Sequence, residues 1–238
     1  MTSGKKPFNK IISTIILSLI LFFIYGCDTT ETTNGTVSLS FNSGSSLQKI
    51  TDNTIELTKV KILMRDVKLK MEDGESENEN GDDDSYMIKV GPFVVNLNLG
   101  GMTTDFIVAN IPTGYYEAVK FKIHQIQGSE IPPDPEFKEG EDNSKRYSVI
   151  VEGLFNSEPF IYKSKKPAKQ HIEFDPPIFV EENGDINLTI KVDPYSWFYK
   201  DYVLLNPSDP ANENDIDNNI KESFKEAYKD DDQNGKED

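Results

Sequence analysis

Asp230, Asp232, Asn234 and Gly235 stand at the spacing D-x-[DN]-x-[DN]-G, the first half of an EF-hand calcium loop. The Lys236 carbonyl and the Asp238 carboxylate fall at its seventh and ninth positions. Calcium takes about six to eight oxygen ligands, so alternating side-chain oxygens with one carbonyl suit it. The bidentate Glu of the twelfth position has no counterpart. Residues 230–238 therefore read as a weak calcium site or as a solvated acidic tail, with magnesium a poor competitor for the former. A second group with chemical potential is the aromatic run Tyr195 to Tyr202, which holds Tyr195, Trp197, Phe198, Tyr199 and Tyr202. Tyr195, Trp197 and Tyr199 are candidates for stacking against sugar rings or a partner protein. The same residues equally suit a cap on the open end of a β-sandwich. His124 and His171 are far apart, and neither has a Cys or His at ligand spacing, so a zinc site is not indicated. Strand parity places both outward. No P-loop, G-x-S-x-G or G-x-G-x-x-G occurs.

Cys27 is the only cysteine. It follows an apolar run from Ile11 to Gly26 that is interrupted by Ser13, Thr14 and Ser18 and preceded by Lys5, Lys6 and Lys10. A basic segment, an apolar segment and a small residue before the cut describe a secretory signal. The run is short for a transmembrane helix, which needs about 20 apolar residues. Gly26-Cys27 resembles the bacterial lipobox, in which the Cys thiol is acylated and becomes the new N-terminus. The expectation is a signal over residues 1–26, lipidation at Cys27 and a polar tether over 27–35. That places the protein in a bacterial envelope, at the outer membrane or cell surface rather than the inner membrane.

The elements that must position these groups are mostly strands. The chain has 238 residues and a net charge of −16; losing Lys5, Lys6 and Lys10 with the signal takes it from −16 to −19. Such acidity disfavours nucleic acid and offers carboxylates to cations. Val37, Leu39 and Phe41 alternate as a half-buried strand. From Thr54 to Met71 the apolar parity changes twice. That pattern predicts bulges near Thr58-Lys59 and Arg65-Asp66, because a one-residue slip turns side chains to the other face. Glu72 to Asp84 holds eight acids in thirteen residues and reads as a solvated loop. Further strands are expected over Tyr86–Leu99, Phe106–Ile111, Tyr115–Ile126, Tyr147–Val151, Phe155–Tyr162 and Ile172–Phe174. A Pro-rich acidic loop spans Ile131 to Lys145. Asn183-Gly184 signals a two-residue hairpin between Ile178–Glu182 and Ile186–Val192. Pro210 to Lys229 reads as a helix with Ile216, Ile220, Phe224 and Ala227 on one face and Asp209 as its cap.

Nine or so short strands punctuated by turns indicate a mainly β protein: an antiparallel β-sandwich, prealbumin-like or immunoglobulin-like, with one C-terminal helix. Ile111-Pro112-Thr113-Gly114-Tyr115-Tyr116 reads as a type I turn entering a strand. It resembles the L-P-A-G-x-Y turn of bacterial prealbumin-like (transthyretin-type) domains. Over about residues 36–193 the layout is also similar to a family of lipid-anchored bacterial proteins of unknown function. That resemblance implies an envelope β-sandwich and brings no catalytic residues. The expected organisation is a sandwich over 36–205, a helix over 206–229 and an acidic tail over 230–238. The expected role is non-catalytic binding or structure, with calcium or carbohydrate as ligand and the membrane, a glycan or an envelope protein as partner. The alternative is a carbohydrate-active envelope hydrolase, which needs paired carboxylates in a cleft near Trp197.

Overall fold

The computed structural model describes residues 33–43, 54–72, 85–140 and 144–238. The signal, Cys27, the tether up to residue 32 and all of the acidic loop but Glu72 lie outside the described residues. Fifteen strands are present among those described. They are β1 (Asn34–Asn42), β2 (Ile55–Met71), β3 (Ser85–Lys89), β4 (Phe93–Asn96), β5 (Thr104–Pro112), β6 (Gly114–Ile123), β7 (Lys138–Glu139) and β8 (Lys145–Arg146). Then come β9 (Val149–Phe155), β10 (Glu158–Ser164), β11 (Ala168–Val180), β12 (Asp185–Lys191), β13 (Tyr199–Lys200), β14 (Val203–Leu204) and β15 (Glu226–Lys229). One helix, α1, covers Glu213–Glu222. The larger sheet runs β10-β9-β2-β6-β11, with β3 and β4 also on β2; the smaller runs β15-β12-β1-β5. The protein is thus mainly β, a sandwich with a C-terminal helix. Pairing is antiparallel except between β1 and β12, which are parallel.

β2 behaves as its parity requires. Its pairing with β9 shifts between Leu57 and Lys59, and its pairing with β6 shifts between Arg65 and Lys68. Asp66 takes φ of 55° at the second shift. Ile55 and Leu57, then Val60, Ile62 and Met64, then Val67 and Leu69 all reach one core. At the first shift the backbones crowd: a Cβ on Gly153 would lie 2.1 Å from the Glu56 carbonyl oxygen. Glycine is needed there for close approach, not for an unusual φ.

Four expectations are corrected. Asn183-Gly184 does not close a hairpin, because β11 and β12 lie in different sheets. Two of the turn's hydrogen bonds go to β1 instead: Asn183 N–H donates to the Asn34 carbonyl at 2.9 Å, and Thr36 N–H to the Gly184 carbonyl at 2.8 Å. The chain turns a corner between layers, and β1 takes the place beside β12. Ile111–Gly114 is a similar corner, from β5 in the smaller sheet to β6 in the larger. The Tyr116 hydroxyl braces it by donating to the Pro112 carbonyl at 2.8 Å.

The helix is shorter than residues 206–229. Asp209 caps a 3₁₀ turn at Pro210–Asn212, α1 follows, and the chain leaves it at Ser223, whose hydroxyl donates to the Ile220 carbonyl at 2.8 Å. Glu226–Lys229 then adds to the open edge of β12 as β15. Residues 206–238 are therefore part of one compact unit over Thr33–Asp238, not appendages to a sandwich ending at 205.

His124 is not a solvated surface residue; it is 7% exposed, with Nε2 2.7 Å from Glu130 Oε2. The Pro-rich segment folds back over the larger sheet's outer face and buries it. Phe137, Ile126 and Tyr147 pack there on Leu63 and Ile150 as a second small core. Lys61–Asp134 at 2.5 Å, Lys59–Glu152 at 2.6 Å and Arg65–Glu130 at 3.2 Å surround it. Burial pushes the Glu130 carboxyl up, but the Gln127 amide, His124 and Arg65 outweigh it and hold it below the usual range.

Gly153→Ala should destabilise the protein by about 2 kcal/mol or more, because the first bulge of β2 must open to admit the methyl group. Ile131→Ala, at a side chain 84% exposed, should change stability by under about 0.5 kcal/mol. Urea unfolding of both variants checks the pair.

Candidate metal centre

The end of β15 delivers Asp230 onto the outer face of the smaller sheet. Asp230 N–H donates to the Asn187 carbonyl at 2.9 Å, continuing the β12–β15 ladder by one residue. Its side chain is 0% exposed. Thr189 Oγ1 donates to Asp230 Oδ2 at 2.8 Å, and Asn187 Nδ2 donates to the Asp230 carbonyl at 3.0 Å. Ser40 Oγ on β1 lies 2.8 Å from Thr189 Oγ1. Ser40, Asn187 and Thr189 point away from the core, as their alternation with Ile186, Leu188 and Ile190 requires, yet all three are buried. The segment from Asp230 to Asp238 covers them.

That segment is a folded loop, not a solvated tail. Asp230 Oδ1 accepts from Asn234 N–H at 2.9 Å and Oδ2 from Gly235 N–H at 3.0 Å. Asp232 Oδ1 accepts from Asn234 N–H at 3.2 Å, and Asn234 Oδ1 from Lys236 N–H at 2.9 Å. Asp238 returns to β15: its N–H donates to the Lys229 carbonyl at 3.0 Å and its Oδ2 accepts from Asp231 N–H at 2.6 Å. The Tyr228 hydroxyl ties down the middle by donating to the Gly235 carbonyl at 2.7 Å. Burial, then the charges of Asp230, Glu226 and Glu237, push that phenol up to about 12, so it stays a donor. Gly235 has φ of 79°, and a Cβ there would sit 2.0 Å from Asn42 Nδ2. Only glycine satisfies both limits, and this is the loop's sixth position, where the motif requires it.

One carboxylate oxygen each from Asp230, Asp232 and Asp238 lie within 4.8 Å of one another. The structure thus brings together the first, third and ninth positions, with Asn234 and Lys236 in the same loop. The donors are all oxygen, which suits a hard cation and not zinc or copper. Asp230 is oriented by Thr189 and two amides, while Asp232 and Asp238 are exposed, each held by a hydrogen bond from within the loop. What departs from the sequence reading is the entry to the loop: a strand leads into it, where the EF-hand motif has a helix. The polar stripe Ser40–Asn187–Thr189 on alternate strand positions was the signal that something covers this face; by itself it looks like an ordinary solvated face.

The aromatic candidates do not form a platform. Trp197 is 0% exposed, Phe198 is equally buried and Tyr195 is buried. Phe198 meets Phe160 and Tyr162 edge-on at 5.7 and 6.0 Å between ring centres. The run closes the sandwich together with Ile216 and Ile220 of α1. Tyr199 is half-buried, and its carbonyl accepts from Asn219 Nδ2 at 2.7 Å. Carbohydrate stacking on Trp197 is therefore overturned: no face of the indole is open. Ion pairs and hydrogen bonds hold the carboxyls of Asp66, Glu130, Asp134, Glu136 and Glu139 below their usual range. His171 is exposed on β11, as expected.

No described helix is long and apolar enough to cross a membrane. No family model, curated protein or solved structure matches this chain.

Proposed function

We propose that this chain is a lipid-anchored protein of a bacterial envelope, at the outer membrane or cell surface, with a non-catalytic binding or structural role. In this reading its C-terminal loop holds calcium. The observation that carries the calcium part is the convergence of Asp230, Asp232 and Asp238 in a loop whose spacing already matches half a calcium motif. Three like charges gathered within 4.8 Å repel one another, and a divalent cation removes that repulsion. The Asn234 side chain and the Lys236 carbonyl complete a set of five groups. Five donors fall short of calcium's preferred shell, so water or a bidentate carboxylate must supply the rest and the affinity is low.

Support for the anchor is the segment Ile11 to Cys27 with its flanking lysines. Only six residues separate Cys27 from Asn34, where β1 begins. Fully extended they reach about 25 Å, so an acylated Cys27 holds the sandwich close to the bilayer. Millimolar calcium is available outside the cytoplasm, which is where such a weak site is useful. The cation then acts as a lock, holding the loop over the buried Ser40–Asn187–Thr189 stripe.

Two measurements test this reading. Titration of residues 28–238 with calcium chloride should give a dissociation constant of about 10⁻⁴ to 10⁻³ M, and Asp232→Ala with Asp238→Ala should abolish the heat. Both substituted carboxylates are exposed, so the far-UV circular dichroism should not change. At ten times the dissociation constant, calcium should stabilise the wild type by about 1.4 kcal/mol and leave the double variant unmoved. Absence of heat at 10 mM calcium removes the calcium part. Separately, Cys27→Ser should abolish fatty-acid labelling in a bacterial host and release the protein from membranes; unchanged labelling removes the anchor.

A further inference from the structure

The outer face of the larger sheet has two halves. Over β2 and β9 it is covered by the Pro-rich segment, and the basic residues there are matched. Lys59 pairs with Glu152 and Glu136, Lys61 with Asp134 and Glu136, and Arg65 with Glu130 and Asp66. Over β2, β6 and β11 the face is an open groove of about 500 Å³. Its lining holds Lys68, Lys120, Lys122 and Lys169, the imidazole of His171 and a single carboxylate, Asp66.

Register makes this arrangement unusual. Lys68 stands directly opposite Lys120, Lys120 opposite His171, and Lys122 opposite Lys169. Like charges facing each other across strands destabilise a sheet. Asp66 offsets little, since it lies 2.7 Å from Lys122 and is shared with Arg65 at 3.2 Å. Lys68 and Lys169 form no ion pair among the described residues. Glu173 falls in the next row, opposite Ala118. Four lysines against one carboxylate sit in a chain whose net charge is −16. Solubility gives no reason to gather them, and on the same sheet Lys59 and Lys61 are paired where Lys68 and Lys169 have no ion pair among the described residues.

We infer that this groove binds a small, free, multiply charged anion of the phosphate-ester class. Ammonium groups are strong point-charge partners for phosphate oxygens. Neighbouring strands lie about 4.8 Å apart and alternate residues about 6.8 Å apart, so the lysines form two rows. Lys68 and Lys120, with the His171 ring beside them as a further donor, make one, and Lys122 and Lys169 the other. An anion with a single charged group reaches one row; one with two or more spans both. The volume is that of a small-molecule site. A flat anionic bilayer is the poorer occupant, because the acidic remainder of the body is repelled by it. The groove lies on the sheet opposite the calcium loop, so the inference does not rest on the proposal above.

The test is calorimetry of residues 28–238 at 50 mM salt, with inorganic tripolyphosphate as the probe and orthophosphate beside it. Tripolyphosphate should bind at least tenfold more tightly than orthophosphate, and the heat should weaken steeply at 300 mM salt. Lys68→Gln with Lys169→Gln should reduce the affinity at least tenfold. Both residues face a cation and lack a described carboxylate partner, so the double variant should unfold in urea at the same or a higher midpoint. Lys191→Gln, on the smaller sheet and paired with Glu226, is the control and should bind as the wild type does. Equal affinity of wild type and double variant overturns the inference. So does absence of heat with tripolyphosphate, or capture by phosphatidylglycerol vesicles alone.

Discussion

Side-chain alternation along β2 is the constraint on which the rest depends. A strand has one inner and one outer side chain per two residues, and seventeen residues must satisfy that rule against β9, β4, β3 and β6. The apolar residues of β2 break alternation twice. Without the two shifts, Val60, Ile62 and Met64 would face outward while Ile55, Leu57, Val67 and Leu69 faced in. Each shift has its own local enabler. At the first, Gly153 on the partner strand lets the Glu56 carbonyl come closer than any other residue would allow. At the second, Asp66 accepts a left-handed φ that β-branched residues resist. The shifts also twist β2, so its first half carries the Pro-rich cover and its second half the open basic groove.

Given that sandwich, the outer faces decide what is distinctive about the protein. Burying Ser40, Asn187 and Thr189 under the C-terminal loop is tolerable because each hydroxyl and amide hydrogen finds a partner in the network around Asp230. A buried donor left without a partner would cost about 1–3 kcal/mol; Asn187 Oδ1 is the one side-chain atom of this network left without a partner. The loop is therefore part of the fold, and its exposed carboxylates are held in place by a buried one. The same logic applies under the Pro-rich segment. Phe137 and Tyr147 provide the burial, while Glu130 and Asp134 match the basic residues along the rim.

Much of this was legible in the sequence because it is local. Period-two alternation marked the strands, the parity changes marked the bulges, Asp209-Pro210 marked a helical start, and the Asp230 spacing marked the loop. What was not legible is pairing at a distance. Asn183-Gly184 carries a hairpin signal, but β1, from the far end of the chain, competes for the same hydrogen bonds and wins. Lys225 and Lys229 suit the C-terminus of a helix as well as an edge strand; the vacant edge of β12 decides, and no local pattern reports it. His124 has strand parity for the outer face, as expected, but parity says nothing about what covers that face. Trp197 was ambiguous for the converse reason, since an aromatic that closes a core and one that presents a surface look alike in sequence. The groove lysines escaped notice because they come from three strands and form a cluster only in register.

Acidic loop and basic groove occupy opposite outer faces of one sandwich, and this bears on whether they could act together. The sheets are about 10 Å apart, and a layer of side chains on each outer face brings the charges to about 20 Å. At an effective dielectric between about 20 and 80, two unit charges at that separation interact by about 0.2–0.8 kcal/mol before screening. The distance is about twice the screening length at physiological salt, which reduces the figure further. Occupying one face therefore changes the affinity of the other only slightly by charge alone. A stronger link would have to pass through structure, and β1 is the shortest route. It carries Ser40 under the loop on one side and presents Leu39 and Phe41 to the core shared with Phe121 and Val119 on the other. That core is close-packed and built on strands whose register is pinned at both bulges, so small shifts at Ser40 have no second arrangement to drive it into. The two faces are best understood as independent surfaces on a common rigid body.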